Sequence, residues 1–179
     1  MNSLQLAIAF TLKEEGGFTI DDGGPTMHGI TQSVYDAYRT SRNLLLQSVE
    51  LISMAEVTDI MKSEYWIPAH CDSMPARLGI AMFDWAYNHG VTGAIITLQE
   101  CLGVTPDERF GADTLNAVKH TIEFEQPNAS YGLVAKFLDA RRDWYEEAAT
   151  VHPEKYSKYL AGWLHRVDEL QTYLVTVHG

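Results

Sequence analysis

The sequence predicts a mainly α-helical fold of six to seven helices, with at most a short hairpin near residues 18–31. Three observations lead there. Apolar residues recur at helical spacing through most of the chain. Turn formers mark several of the breaks between those runs, at Gly16-Gly17, Gly90 and Gln126-Pro127-Asn128. The one stretch dense in turn formers is Thr19-Ile20-Asp21-Asp22-Gly23-Gly24-Pro25-Thr26, which leaves room for a hairpin. At 179 residues, 46% hydrophobic and 21% charged, the chain has the size of one domain, or of one domain with a small lobe, and can bury a sizeable core.

Taken in order, Ser3 is placed to cap a first helix running to about Glu15, with Gly16-Gly17 suited to a left-handed C-terminal turn. After the loop, a polar helix covers roughly 31–40. Ser53-Met54-Ala55-Glu56 reads as a capping box opening a helix to about Tyr65. Beyond Pro75, the run from Arg77 to His89 has almost no polar face and ends at Gly90, so this helix should be central and buried. Two shorter helices follow, from Thr92 to Leu102 and from Asp113 to Thr121. Gln126-Pro127-Asn128 breaks the pattern before a long helix from Ala129 to about Thr150. A last helix opens with Pro153 in its first turn and runs to about Val177, with an interruption expected at Gly162.

Charge and cysteine content narrow the function. Thirteen basic against twenty-four acidic residues leave a net charge of −11, which argues against nucleic acid and against electrostatic membrane binding. An anionic wall polymer would have to be held by shape, stacking and hydrogen bonds instead. Cys71 and Cys101 form no CxxC, so neither a structural zinc site nor a redox motif is expected. The apolar stretch from Leu4 to Leu12 is too short for a membrane span, and no basic n-region precedes it. Synthesis in the cytoplasm without a signal peptide is therefore expected. A substrate outside the inner membrane would then require a release factor of the holin type.

One carboxylate sits against the pattern. With Leu4 at zero and about 100° per residue, Ile8 falls near 40°, Leu12 near 80°, Thr11 near −20° and Glu15 near 20°, while Glu14 lies near −80°. Glu15 thus points with the apolar stripe and occupies the last turn, where the helix dipole disfavours negative charge. Apolar surroundings and the dipole would both favour a protonated carboxyl group, as protonation of a glycosidic oxygen requires. A frayed helix end that turns Glu15 to solvent explains the same spacing.

The neighbouring residues add a resemblance. Glu15-Gly16-Gly17-Phe18, the Asp/Gly-rich loop and Gly24-Pro25-Thr26-Met27-His28-Gly29-Ile30-Thr31 resemble the signature of the glycoside hydrolase family 108 muramidases. The similarity continues through Tyr65-Trp66, Phe83-Asp84-x-Ala86-x-Asn88-x-Gly90, Leu98-Gln99-x-x-Leu102-Gly103-Val104, Phe110-Gly111-x-x-Thr114-Leu115, Arg141 and Gly162-Trp163-x-x-Arg166-Val167. The matches are in order over nearly the whole chain. Two departures are His28, where the family usually has Tyr, and a shorter loop between Phe18 and Gly23.

The resemblance implies a lysozyme-like fold and hydrolysis of the β-1,4 bond between N-acetylmuramic acid and N-acetylglucosamine, with Glu15 as general acid. Glycosidases commonly pair such an acid with a second carboxylate. Asp22 is the first candidate and Asp21 the second, and a Glu-Asp-Thr series similar to phage-type lysozymes gives Thr26 a part in holding water. Ordinary turn chemistry explains Asp21-Asp22-Gly23-Gly24 equally well. Asp21, His28, Tyr87 and Asn88 are assigned to substrate binding. Asp84 and Asn88, four apart, share one face of the central helix; Asn88 is placed at the groove and Asp84 in internal structure. Tyr65, Trp66, Trp85 and Tyr87 are of the type that stacks on sugars, though most aromatics in a helical protein are core.

Residues 1–92 are expected to form the catalytic part and residues 93–179 a helical lobe resembling peptidoglycan-binding modules, packed on it as one unit. The seven histidines show no i, i+4 ligand spacing and no HExxH, and no GxSxG occurs, so neither a metal, another cofactor nor a serine triad is implied. The expected partner is the glycan strand of peptidoglycan, bound by a monomer that acts in host-cell lysis. Two rival functions share these features: a lytic transglycosylase, and a wall-binding protein with a silent site.

Overall fold

In the computed structural model, residues 1–21, 24–124 and 129–177 are described. Among them are eight α-helices and one small sheet, so the chain is mainly α. Helix α1 (Ser3–Glu14) leads into three short strands, β1 (Thr19–Asp21), β2 (Gly24–Met27) and β3 (Ile30–Thr31). They form an antiparallel sheet in sequence order, with Thr19 opposite Thr26 and Met27 opposite Ile30. Next come α2 (Gln32–Ser41) and α3 (Met54–Ile60), the latter continuing as a wider π-helical turn to Trp66. The rest is helical: α4 (Ala76–His89), α5 (Val91–Leu102), α6 (Ala112–Phe124), α7 (Ala129–Val151) and α8 (Pro153–Thr176).

Local rules account for most of these limits. The α1 cap is Asn2 rather than Ser3, because Asn2 and Gln5 form a reciprocal capping box that satisfies two free amides at once. The expected box at Ser53 and Glu56 is present. Gly103 ends α5 in a left-handed conformation, which lets the Val104 amide reach back to the Gln99 carbonyl. Helix α8 runs unbroken through Gly162. The expected break at Gln126-Pro127-Asn128 lies outside the described residues.

Helix α4 is the centre of the molecule, as its unbroken apolar character requires. Leu78 through Ala86 are all buried, and α1, α5, α7 and α8 pack around them. Trp66 and Trp85 belong to this core and are not available to a sugar. Cys71 and Cys101 are buried free thiols, and burial pushes Cys101 up to about 11. No helix among the described residues is long and apolar enough to cross a membrane.

The Leu98-Gln99 pair of α5 shows how the C-terminal half is tied together. Gln99 is 1% exposed. Its amide nitrogen donates to Asp107 Oδ1, the Arg109 carbonyl and Thr114 Oγ1 at 2.7, 3.0 and 3.1 Å. Its oxygen accepts from the Glu108 amide. One side chain therefore fixes the whole connection between α5 and α6. Gln99→Ala should lower stability by about 1–3 kcal/mol, the cost of leaving buried partners unpaired, as measured by urea unfolding.

Candidate active site

The site begins where α1 ends. The Glu15 amide still bonds the Thr11 carbonyl at 3.0 Å, but the Glu15 backbone is extended, at φ −83° and ψ 141°. The chain thus leaves the helix at Glu15 itself. No left-handed turn forms at Gly16-Gly17, which correspondingly are absent from the positive-φ residues. The extended cap already redirects the chain toward β1, and the glycine pair lines a cleft, where a Cβ on either residue would meet nothing within 4 Å.

The apolar setting expected for Glu15 is replaced by a charged one. Ile8 and Thr11 on the same stripe are buried, but Glu15 lies one turn further on and steps off the helix, with its side chain 19% exposed. There Arg166 Nη1 donates to Glu15 Oε1 at 2.7 Å. The rest of that guanidinium grips Asp84: Nη2 reaches Oδ1 at 2.8 Å and Nε reaches Oδ2 at 3.1 Å. Arg141 Nη1 reaches Asp84 Oδ2 at 2.7 Å, and Thr11 Oγ1 donates to Oδ1 at 2.9 Å. Burial alone would push the Asp84 carboxyl up, but Arg141 and Arg166 outweigh it and hold the group well below the usual carboxylate range. Four helices, α1, α4, α7 and α8, each contribute one of these partners.

The same cluster reaches a second rim residue. Arg141 Nη2 donates to Tyr145 Oη at 3.2 Å, and Tyr145 Oη donates to Asn88 Oδ1 at 2.5 Å. Arg141 also lies over the Trp85 ring, 4.8 Å from its centroid. Asn88 is exposed, so its position at the cleft edge is set from inside the protein.

Around Glu15 opens a cleft of about 670 Å³. The end of α1 supplies Glu15 through Thr19, the sheet region Thr26, Gly29 and Thr31, α4 Tyr87 and Asn88, and α8 Tyr159. Among the described lining residues Glu15 carries the only carboxylate. Gly29 explains the close fit of sheet to helix. It sits at φ +83°, and a Cβ there would lie 2.8 Å from Tyr87 Cε1 and 3.0 Å from Glu15 Oε2. Tyr87 Oη donates to the His28 carbonyl at 2.6 Å, and burial, then the nearby Glu15, push its phenol up, so it remains a neutral donor. Its ring meets Tyr65 edge-on at 4.7 Å.

The structure therefore brings together Glu15, Thr26, Tyr87 and Asn88. Thr26 is nearly buried and its Oγ1 bonds the Gly24 carbonyl at 3.3 Å. His28 contributes its backbone to the site through Tyr87; the turn holds it at φ +53°, and it is not among the lining residues. Asp21 ends β1 opposite Gly24, and its side chain lies outside the described set, as does the whole of Asp22. Sequence reasoning gave no role to Arg166 or Tyr159. Arg166 is 151 positions from Glu15; its sequence signals are its place in the Gly162-Trp163-x-x-Arg166-Val167 segment of the resemblance and its position beside Val167 on the buried side of α8. No three His, Cys, Asp or Glu side chains cluster to hold a metal among the described residues.

Comparison with known proteins matches the chain to two family models. Residues 8–90 match the family described as glycosyl hydrolase 108. Residues 93–168 match one described as a predicted peptidoglycan domain. Among solved structures, SagA of Brucella abortus is similar over 96% of this chain and 93% of its own, with a TM-score of 0.79 and 27% identity. No curated protein sequence matches the chain.

Two outcomes follow from the geometry. Gly29→Ala should cost about 1–3 kcal/mol through its positive φ, and it should also cut hydrolytic turnover, because the new methyl group presses on Tyr87 and Glu15 together; urea unfolding and a turbidity assay measure the two effects. Asp84→Asn should destabilise by about 3–5 kcal/mol, since two guanidiniums lose their buried counter-charge. The Asp84 contribution belongs to a lowered carboxyl group. It is present above the ordinary value near pH 3.9 and lost as pH falls below it. Unfolding curves from pH 7 to 2 should therefore fall more steeply below about pH 3.9 than those of the Asn variant.

Proposed function

We propose that this chain, whose residues 8–90 match the glycosyl hydrolase 108 family and whose residues 93–168 match a peptidoglycan domain, is a glycoside hydrolase of peptidoglycan and, more narrowly, an N-acetylmuramidase. The bond cut is the β-1,4 linkage between N-acetylmuramic acid and N-acetylglucosamine. The observation that carries this reading is the placement of Glu15: a carboxyl group at a cleft, held by a guanidinium that is itself fixed from inside the core.

In this reading Glu15 gives its proton to the glycosidic oxygen as the bond to the anomeric carbon breaks. Arg166, 2.7 Å from Oε1, stabilises the carboxylate left behind. That interaction strengthens as the proton leaves, so it acts on the transition state more than on the bound substrate. Asp22 is assigned to the second carboxylate, which either directs a water or attacks the sugar. Thr26, on the opposite strand at the cleft, helps to hold the water. Water then supplies hydroxide to the anomeric carbon and a proton that restores Glu15. Asn88, with an amide nitrogen that has no protein acceptor among the described residues, and Tyr87 bound the sugar site. Cutting the glycan backbone is the chemistry that lysis of a bacterial host, after holin-type release, would use.

Glu15→Gln should leave the fold intact and reduce turnover by about 100- to 10,000-fold, whereas Glu14→Gln retains most of it. Mass spectrometry of digested peptidoglycan measures both the rate and the product. Reducing ends on N-acetylmuramic acid support the proposal; 1,6-anhydro ends would make the chain a lytic transglycosylase, and near-normal cleavage by folded Glu15→Gln removes Glu15 from the reaction.

A further inference from the structure

Helix α8 carries more than the arginine. With about 100° per residue, Tyr156, Tyr159, Trp163 and Arg166 fall within one arc of roughly 80°, so a single helix face is aromatic from its second turn down to the residue that holds Glu15. The rings touch in series. Tyr156 and Tyr159 each lie 5.7 Å from Trp163, Tyr159 in a stacked arrangement, and Trp163 stacks on Tyr145 at 4.7 Å. Trp163 is thereby anchored to the buried cluster, since Tyr145 bonds Arg141 and Asn88.

The outer rings are not sealed into the core. Tyr159 is 48% exposed and already lines the Glu15 cleft, and Tyr156 is half-buried one turn further from it. At 1.5 Å rise per residue, Tyr159 and Tyr156 lie about 10 and 15 Å along the axis from Arg166. Their exposed cover is two flexible lysines, Lys155 over Tyr156 and Lys158 over Tyr159, each 4.7 Å from the ring centroid. Such ammonium groups move aside readily. They also put positive charge beside the rings in a chain whose net charge is −11.

We propose that this face of α8 is an extension of the substrate cleft, binding the sugar rings of a glycan strand beyond the cleavage point through Tyr159 and Tyr156. The proposal rests on the glycan-cleaving reading of the same site. An aromatic face suits the apolar side of a pyranose and does not rely on net charge, so an acidic protein can hold a glycan strand by stacking. Continuity through Tyr159 makes the occupant the same strand that reaches Glu15. Trp163 supports the rings from behind and is tied to the fold, so it is not the residue to change.

The test uses the full chain and peptide-free glycan strands of short and long average length. Tyr156→Ala with Tyr159→Ala should raise KM for long strands by about three- to ten-fold per ring, the worth of one aromatic stack, with kcat unchanged. Tyr156→Phe with Tyr159→Phe should restore it. Short strands that fill only the Glu15 cleft should be affected much less by the loss of Tyr156. Equal losses on short and long strands, or no loss on either, overturn the proposal. If the unaltered protein cuts no glycan, the hydrolase reading fails separately. The extension is then judged by binding alone: cosedimentation of Glu15→Gln with long strands should weaken when both tyrosines become Ala, and unchanged binding overturns it.

Discussion

The structure depends on one buried ionic cluster. Asp84 lies in the middle of the most apolar helix of the chain and receives two guanidiniums and a hydroxyl from three other helices. Taking such charges out of water costs several kcal/mol per ion, and only close geometry recovers it. That cost makes the arrangement demanding: α1, α7 and α8 must each arrive at the right height on α4, or a charge is left unpaired in the core. Hydrophobic burial would tolerate small slips of one helix along another, whereas a bidentate contact does not. With Glu15 counted as a carboxylate, the cluster balances two acids against two guanidiniums. The proposed acid is thus the outermost member of the arrangement that sets the helix packing.

This explains why the fold was largely legible in the sequence and the site only partly so. Helix α4 could be placed at the centre because the run from Arg77 to His89 has almost no polar face to turn outward. The α3 capping box and the Gly103 stop were visible because they act over a few residues. Glu15 was visible for a local reason too, lying on the apolar stripe of α1. What surrounds it was not. Periodicity said that the environment would be apolar, but the side that the stripe faces contains Arg166, which the chain reaches only in the seventh α-helix after α1. A lone arginine on the buried side of α8 reads as a covered stem or a surface salt bridge until a partner is known. Gly16-Gly17 misled in a simpler way. The pair looked like a helix stop, but the stop came from the Glu15 backbone, and the glycines instead keep side chains out of the cleft.

The second constraint is the contact between sheet and helix. Gly29 brings the turn between β2 and β3 against Tyr87 and Glu15, closer than any side chain would allow. Tyr87 answers by donating to the His28 carbonyl, which fixes the same turn from the helix side. A three-stranded sheet this small has little stability of its own. Its position is determined by that hydrogen bond and by the absence of a Cβ at residue 29. Thr26, on the middle strand, is placed relative to Glu15 through this contact. Residue 28 matters here through its backbone, since the His28 carbonyl and not the imidazole accepts the bond from Tyr87.

A division of the chain at 92/93 separates the four charged partners two and two: Glu15 and Asp84 precede it, Arg141 and Arg166 follow it. The half that matches a peptidoglycan domain therefore does more than sit beside the half that matches a hydrolase. It completes the setting of the proposed acid, and through Tyr159 it also forms part of the cleft. In the proposed reading, strand binding and the setting of the acid share one rigid element, because α8 carries the aromatic face and the guanidinium on the same side. A strand held along that face meets Glu15 at a distance and angle fixed by the helix and not by a linker. Orientation of this kind lowers the barrier by settling the reacting geometry before the chemistry begins.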